Sequence, residues 1–548
     1  MLAQTIEPLE IPEETRKLAQ KIFRKGNRYL KLRDELGTIF QENDFQALYS
    51  SQGAPGESAV RLALVTIVQY MEDLSDRDVA EAVPARIDLK YFLSLPLEDE
   101  GFDYSVLSEF RQRLLAGKAE SLLLDKLLAV CKAKGWVKAR GKQRSDSTHV
   151  LAAVRSLSRG ELVGETLCHA LNCLAEVAGD WLQKQVPATW YGRYGRRIEV
   201  YRLPKGKAQR EAWLLQVGRD GQQLLQWLAA PDAPPQLRSL AAVECLRTVW
   251  SQHYHLNGEG VRWRQAGELP SAAEMVQSPY DTQARYSEKR NLHWEGYKAH
   301  FTESCDDDTP HLITQVTTED APVPDCNTTD TIHTALAEKD LLPAQHLIDG
   351  GYTDADLYHD SQTRYQVDLV GPTTPDVSRQ AKAADGFDHA HFAIDWDKQQ
   401  ATCPNGKTSQ AWLPDATPAD NPTILIRFHK QDCLDCPLRS RCTYSAQGAR
   451  SLRIRPQAQY EALATARLRQ QTPDFQQLYQ QRAGIEGTIS QAVRRSDLRH
   501  ARFIGKPKNH LQQLATAAAI NFLRIADFLL GHHPAPTRIS AFTKLAPT

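Results

Sequence analysis

Three carboxylates carry the chemistry that this sequence suggests. Asp146 lies in Gln143-Arg144-Ser145-Asp146-Ser147-Thr148-His149-Val150-Leu151, which turns from polar to apolar with the β-branched content of a strand. Asp349 closes His346-Leu347-Ile348-Asp349 and precedes Gly350-Gly351-Tyr352, so it sits where a buried strand stops and a tight turn begins. Glu486 ends Tyr479-Gln480-Gln481-Arg482-Ala483-Gly484-Ile485-Glu486, where steps of three and four place Tyr479, Arg482 and Glu486 on one helix face. Two carboxylates from strands and one from a helix are expected to converge. Hard oxygen ligands suit Mg²⁺ or Mn²⁺, and two such ions about 3.5–4 Å apart activate a nucleophile and stabilise the leaving oxygen in phosphodiester chemistry. Taken singly, each acid reads as an ordinary surface residue, and Asp354, Asp356 and Asp368 are the neighbours most easily confused with Asp349.

Thiols form the second cluster. Cys403 stands in Cys403-Pro404-Asn405-Gly406-Lys407, and Cys433, Cys436 and Cys442 follow after 29 intervening residues as C-x2-C-x5-C. Four thiolates can close a tetrahedral structural Zn²⁺ site, hold an iron–sulfur cluster, or remain unligated. The segment around them is rich in Pro and Asp, with few apolar residues for a core, so a metal is expected to supply folding energy. Gly406-Lys407-Thr408 is no Walker loop, because Ala401 stands where the earlier glycine belongs. Cys131, Cys168, Cys173, Cys245, Cys305 and Cys326 are scattered and read as structural.

The ordered set of motifs is more specific than any one of them. Asp103-Tyr104-Ser105-Val106-Leu107-Ser108-Glu109-Phe110-Arg111, Asp146-Ser147-Thr148 and Tyr286-Ser287-Glu288-Lys289-Arg290 come first. Gly296-Tyr297-Lys298-Ala299-His300, Leu347-Ile348-Asp349-Gly350-Gly351-Tyr352 and Arg482-Ala483-Gly484-Ile485-Glu486-Gly487 follow. In these residues, over nearly its whole length, the chain resembles the DDE-class transposases of bacterial insertion sequences, most closely the family numbered eleven-eighty-two. The resemblance implies an α/β fold with an RNase H-like catalytic core, a mixed sheet flanked by helices. It further implies a helical DNA-binding domain ahead of that core, with Asp146, Asp349 and Glu486 as catalytic metal ligands. Water would be the first nucleophile and a freed DNA 3′-hydroxyl the second, on duplex DNA of the element's terminal inverted repeats and of the target. A homodimer is expected on that DNA. In similar enzymes a Lys seven residues after the Glu touches phosphate; here that position is Val493, with Arg494 and Arg495 just beyond, so an Arg has taken the contact or the role is absent. Tyr479 and Arg482 match the pattern, their alternative being helix packing and an i,i+4 ion pair with Glu486. A nuclease without strand joining, or a catalytically idle DNA-binding regulator, are the competing readings.

Several elements must position these residues. Residues 1–135 read as an all-helical domain, with Val60 to Tyr70 as a buried helix, Ser75 as an N-cap and a helix from Asp103-Tyr104-Ser105 through Leu115. Helix, turn and helix with Arg111 and Arg113 suits major-groove reading, or equally a packing or dimerisation module. Residues 136–531 read as the catalytic domain, with strands around Ser145 to Val150, Gly296 to Glu303, His311 to Thr317 and Gln345 to Asp349. It is interrupted by a helical insertion over 156–279, with helices such as Leu162 to Leu182 and Leu237 to Trp250, and by the Cys-containing insertion over 373–455. Residues 532–548 read as a mobile tail.

A chain of 548 residues with 41% apolar and 24% charged content has room for two to four domains. Its net charge of −1 does not mark a DNA-binding protein, but the distribution is uneven. Lys132 to Arg144 carries six Lys/Arg and no acid, and Arg482 to His510 carries seven against Glu486 and Asp497. Such patches attract phosphate or serve as solvated faces. Arg494, Arg495, Arg499, Arg502 and Lys506 are the expected backbone contacts. No signal peptide is read in Met1 to Arg16, and Leu514 to Leu530 contains Arg524 and Asp527, which suits a packing helix and not a membrane span. A cytoplasmic, nucleoid-associated bacterial protein is expected, its thiols reduced.

Overall fold

The computed structural model describes residues 9–257, 260–383, 385–417, 421–445 and 447–532, with 542 and 545. Nearly all of the expected mobile tail therefore lies outside the described residues. The N-terminal region is helical: α1 (Glu13–Ile22), α2 (Arg28–Leu36), α3 (Ala59–Glu72), α4 (Asp76–Ala85), α5 (Ile87–Phe92), α6 (Ser105–Ala116) and α7 (Leu122–Ala133). α3 is apolar on almost every side and is buried almost all round, as such a composition requires. Ser75 caps α4 through a reciprocal box with Asp78.

Strand β1 (Lys142–Leu151) then enters the main sheet. The chain leaves it for α8 (Arg159–Gln185), α9 (Ala188–Tyr194), α10 (Lys207–Ala229), α11 (Ala241–His253) and the hairpin β2 (Tyr254–Asn257) and β3 (Gly260–Trp263). These helices bury a core of their own around Leu167, Leu224, Leu246 and Trp250. The expected helix from Leu237 splits into a 3-10 turn over Pro235–Ser239 followed by α11.

The sheet resumes with β4 (Arg285–Lys289), β5 (Leu292–Ser304) and β6 (Ile313–Asp320), then α12 (Cys326–Glu338), β7 (Gln345–Leu347), α13 (Ala355–Tyr365) and β8 (Asp368–Val370). Its order is β4-β5-β1-β7-β8, with β6 also paired to β5. β1 runs antiparallel to β5, with Asp146 opposite Phe301, and parallel to β7, with Arg144 opposite Leu347. Asp146 is thus on a strand with neighbours on both sides. Gly296 faces Leu151 at φ +154°, where a Cβ would stand 2.1 Å from the Val150 carbonyl oxygen, so only glycine lets β5 pass the end of β1.

The Cys-containing segment holds α14 (Arg379–Lys382), β9 (Ala393–Asp395), β10 (Gln400–Thr402), β11 (Ala411–Ala416), β12 (Pro422–Arg427), α15 (Lys430–Leu434), α16 (Arg439–Cys442) and β13 (Ser451–Ile454). Its sequence suggests too few apolar residues for a core, and the structure corrects this. Phe387, Phe392, Ile426, Phe428, Leu452 and Ile454 are buried together, with Trp396 and Trp412 at 5.5 Å packed against them. These apolar residues are scattered one or two at a time and gather only when short strands pair.

α17 (Gln457–Gln470), α18 (Pro473–Gln480), α19 (Gly484–Ser496) and α20 (Lys506–Leu529) complete the fold. α20 is buried along most of its length, sharing one core with α3, α7 and the sheet. Phe522 meets Phe92 edge to face at 6.0 Å. Among the described residues no helix is long and apolar enough to cross a membrane.

Candidate active site

Asp146 leaves the middle of β1 with its side chain 15% exposed, and Oδ1 accepts a hydrogen bond from Ser147 N at 2.8 Å. Asp349 lies just past β7 and caps the turn Gly350–Tyr352, its Oδ1 accepting from Gly351 N at 2.8 Å. Glu486 stands in the first turn of α19, 63% exposed. All three meet one guanidinium: Arg482 Nη2 is 2.7 Å from Asp146 Oδ2 and 3.8 Å from Asp349 Oδ2, and Nη1 is 3.0 Å from Glu486 Oε1. The expected convergence of strand, strand and helix is therefore present in the geometry.

Charge explains the arrangement. Burial raises the proton affinity of Asp146, and Arg482 opposes that shift without cancelling it. For Arg482 burial acts downward, but Asp146 and Asp349 outweigh it and hold the guanidinium charged. Its Nε is buried with no hydrogen-bond partner among the described residues, so the ion pairs alone fix the group. Among the described residues no group of three or more His, Cys, Asp or Glu side chains is arranged to hold a metal ion as it stands. The donor set nonetheless fits one: three carboxylates are hard ligands for Mg²⁺ or Mn²⁺, gathered here on a cation.

The surrounding elements are locked by a second buried acid. Glu303 on β5 is fully buried, with Arg144 Nε at 2.7 Å, Arg524 Nη1 at 2.6 Å and Thr488 Oγ1 at 2.5 Å. Burial alone would raise its proton affinity, and Arg524 and Arg144 bring it below the ordinary value. The cluster ties β1, β5, α19 and α20 together behind Glu486. Gly484 leaves room there for the Arg144 guanidinium, since a Cβ would fall 2.0 Å from Arg144 Nη1 and push that side chain aside. Beside Asp146, Ser145 Oγ meets Thr302 Oγ1 at 2.6 Å and His346 Nε2 at 2.7 Å, and His346 meets His333 at 2.9 Å.

Sequence reasoning assigned no role to Lys298 or Asp325. Lys298 Nζ is 2.9 Å from Asp325 Oδ1, which lies 3.4 Å from Ser147 Oγ, and Lys289 reaches 4.0 Å from the same carboxylate. The signal was Gly296-Tyr297-Lys298-Ala299-His300: a cation in a central strand, one turn of the pleat from His300, which meets Tyr352 Oη at 2.6 Å. The three neighbouring acids have other work. Asp354 caps α13, Asp356 pairs with Arg455 and Asp368 with Arg469.

The candidate DNA contacts divide. Tyr479 stacks on Phe475 at 5.6 Å and lies within the field of Arg482 and Asp349. Arg494 and Arg495 are exposed on the last turn of α19, while Val493 packs inward. Arg499 Nε donates to Thr148 Oγ1 at 3.0 Å, which places it beside the strand of Asp146. Arg502 pairs with Asp73 and lies over Tyr70, and Lys506 pairs with Asp320 at 3.0 Å. Arg111 must be withdrawn from the set: it is 6% exposed, bound to Asp76 at 2.5 Å and covered by Phe503. Arg113, 41% exposed over Tyr49, remains open to solvent.

Cys403, Cys433, Cys436 and Cys442 line one pocket together with Arg439 and Arg450. Burial pushes the Cys442 thiol up, Arg450 draws it down, and the other three thiols lie within its electrostatic reach. Arg450 N donates to Cys433 Sγ at 3.4 Å. All ten cysteines are free. The donor set fits a closed four-thiolate site, although the thiols are not arranged around an ion as they stand.

Two family profiles match the chain. One, described as "Transposase DDE domain", covers residues 402–526, and the other, "Transposase domain (DUF772)", covers residues 17–113. The first spans the four cysteines, Arg482 and Glu486; the second runs from within α1 through most of α6. No curated protein and no solved structure matches the chain.

Proposed function

We propose that this chain, a DNA transposase of the DDE type by its two domains, binds the ends of an insertion sequence and cuts and joins DNA at Asp146, Asp349 and Glu486. The observation that carries the reading is the meeting of these three carboxylates, from a central strand, a strand end and a helix, on one half-buried guanidinium. The mixed sheet, in which β5 runs antiparallel to β4, β6 and β1 while β7 and β8 run parallel to β1, supports an RNase H-like core. It also supports the helices between β1 and β4 and the segment between β8 and α17 as insertions into that core. The ordered motifs favour the family numbered eleven-eighty-two.

A DDE domain implies divalent metal, and Mg²⁺ or Mn²⁺ held by the three carboxylates would activate the nucleophile and stabilise the leaving oxygen. In the first step a water oxygen bonds to phosphorus and the element's 3′ oxygen leaves, taking up a proton to become a hydroxyl. In the second, that hydroxyl loses its proton, bonds to a target phosphorus and expels the target's 3′ oxygen. The protein's own contribution is to hold phosphate. Arg482 and Tyr479 lie at the carboxylates, Arg499 stands beside β1, and Arg494 and Arg495 are exposed at the far end of α19; Arg502 and Lys506 can join once released from Asp73 and Asp320, and Arg113 extends the contact on the N-terminal helices. Two chains holding two ends together would form the working dimer.

Asp146→Ala, Asp349→Ala and Glu486→Ala are each expected to abolish cleavage and joining of element ends in Mg²⁺ while leaving end binding nearly intact, because affinity comes mainly from Lys/Arg contacts to phosphate. A variant that joins ends at the normal rate removes its residue from the site. Cleavage without joining in the unaltered protein would move the assignment to a nuclease.

A further inference from the structure

The helical segment between β1 and β4 carries a surface that the carboxylate site does not use. From Tyr191 to Arg210 the chain holds seven Lys/Arg and one acid, Glu199. Four anchors set its course: Trp190, Tyr194, Ile198 and Leu203 are buried in the segment's own core. Trp190 packs on Tyr194 at 5.6 Å and on Trp227 at 5.4 Å. Between the anchors the side chains point outward. Arg196, Arg197, Lys205 and Lys207 are exposed, and Tyr191 and Tyr201 stand 59% and 67% exposed.

The few acids nearby do not neutralise this ridge. Arg193 is held by the buried Asp220 at 2.8 Å and belongs to the frame. Arg197 reaches Glu165, and Arg202 reaches Glu199, each at only 3.6 Å. Arg196, Lys205 and Lys207 enter no salt bridge among the described residues. Cations held outward between buried anchors repel one another, and a polyanion laid across them relieves that repulsion while releasing its counterions. Exposed tyrosine hydroxyls add donors for phosphate oxygens. An anionic membrane is the poorer partner, since surface binding needs a helix with its apolar face turned out, and α9 turns Trp190 and Tyr194 inward.

We propose that residues 191–210 form a sequence-independent contact for the backbone of duplex DNA, separate from the carboxylate site. The proposal rests on the transposase reading and deepens it by naming a second place where the substrate is held. Ser156 Oγ, bonded to Glu295 on β5 at 2.9 Å, joins the helical segment to the sheet.

The test uses the full chain with Arg196→Gln, Lys205→Gln and Lys207→Gln combined, and measures affinity for a random-sequence duplex between about 50 and 200 mM salt. Removing one cation from the phosphate backbone should flatten the slope of log affinity against log salt by about 0.9, so the triple variant should flatten it by up to roughly 2.7. Tyr201→Phe should weaken binding a few-fold with the slope unchanged. Unaltered slope and affinity in the triple variant, a preference for single strands, or binding to anionic vesicles in place of duplex overturns the proposal. If the unaltered chain cuts and joins element ends while the triple variant matches it in every respect, only the ridge fails. If the unaltered chain neither cuts nor joins them, the function proposed for the carboxylates fails instead.

Discussion

Arg482 is the residue on which the candidate site turns. A guanidinium among three carboxylates stabilises a cluster that would otherwise repel itself, and it holds the place where a divalent cation would concentrate. Arg482→Gln removes the charge and shortens the side chain to an amide that cannot reach all three carboxylates. In metal-free protein it should lower the thermal midpoint, and Mg²⁺ should then raise that midpoint more in the variant than in the original, because the ion relieves a repulsion and displaces no cation. Thermal unfolding with and without Mg²⁺ reads both effects; an equal response in the two proteins would show that Arg482 and the ion do not compete. The i,i+4 contact with Glu486 at 3.0 Å, the alternative read in the sequence for this pair, is also present. It is one of three ion pairs on the same group.

At the scale of elements, the Cys-containing segment has two possible sources of order. Its aromatic core is small and its strands are short, so four thiols that meet in one pocket would add to a core already present. Protein purified without chelator is expected to carry about one zinc per chain. Cys433→Ser should lose that metal and leave 373–455 more open to protease, with β11, β12 and β13 retained in part by Ile426 and Leu452. Elemental analysis and limited proteolysis check this. Metal-free protein with an equally resistant segment would mean that the aromatic core suffices and the four cysteines are ordinary thiols.

Across the whole molecule, burial of histidine makes stability depend on pH. His253 is pushed down to about 3, and His300, His333 and His510 to about 4, each chiefly because burial disfavours the charged ring. The unfolded chain takes up protons near the ordinary value of about 6.5, so below it the unfolded state binds more protons than the fold. This contribution is complete above about 6.5 and is lost progressively as pH falls toward 4. The raised carboxyls of Asp146 and Glu295 act with the opposite sign, gaining stability as pH falls. Denaturant midpoints measured from about pH 7.5 down to about 5 should therefore fall steadily. A flat or rising profile would place these rings in contact with water. The loss should be shared by the N-terminal helices and the sheet, which α20 joins in one core.

The features legible in the sequence were local ones. A β-branched stretch around Asp146 and a glycine pair after Asp349 are properties of short segments and appear where their patterns put them, whereas the single helix expected from Tyr479 to Glu486 is divided by a 3-10 turn over Gln481–Ala483 that carries Arg482 between α18 and α19. The buried helix at Val60 to Tyr70 and the Ser75 cap were readable for the same reason. Which charges are spent internally is settled by packing between distant segments. Arg111 and Arg113 look alike two residues apart, yet one is buried on Asp76 and the other is open, because the partner comes from 35 residues away. Glu303 and Asp325 had no local signature, since their roles come from pairings with Arg144 on β1 and Lys298 on β5 that no spacing along the chain encodes. The aromatic core of 373–455 was invisible for a related reason: burial is a property of where strands meet, and strands meet by long-range pairing whose register the local pattern does not carry.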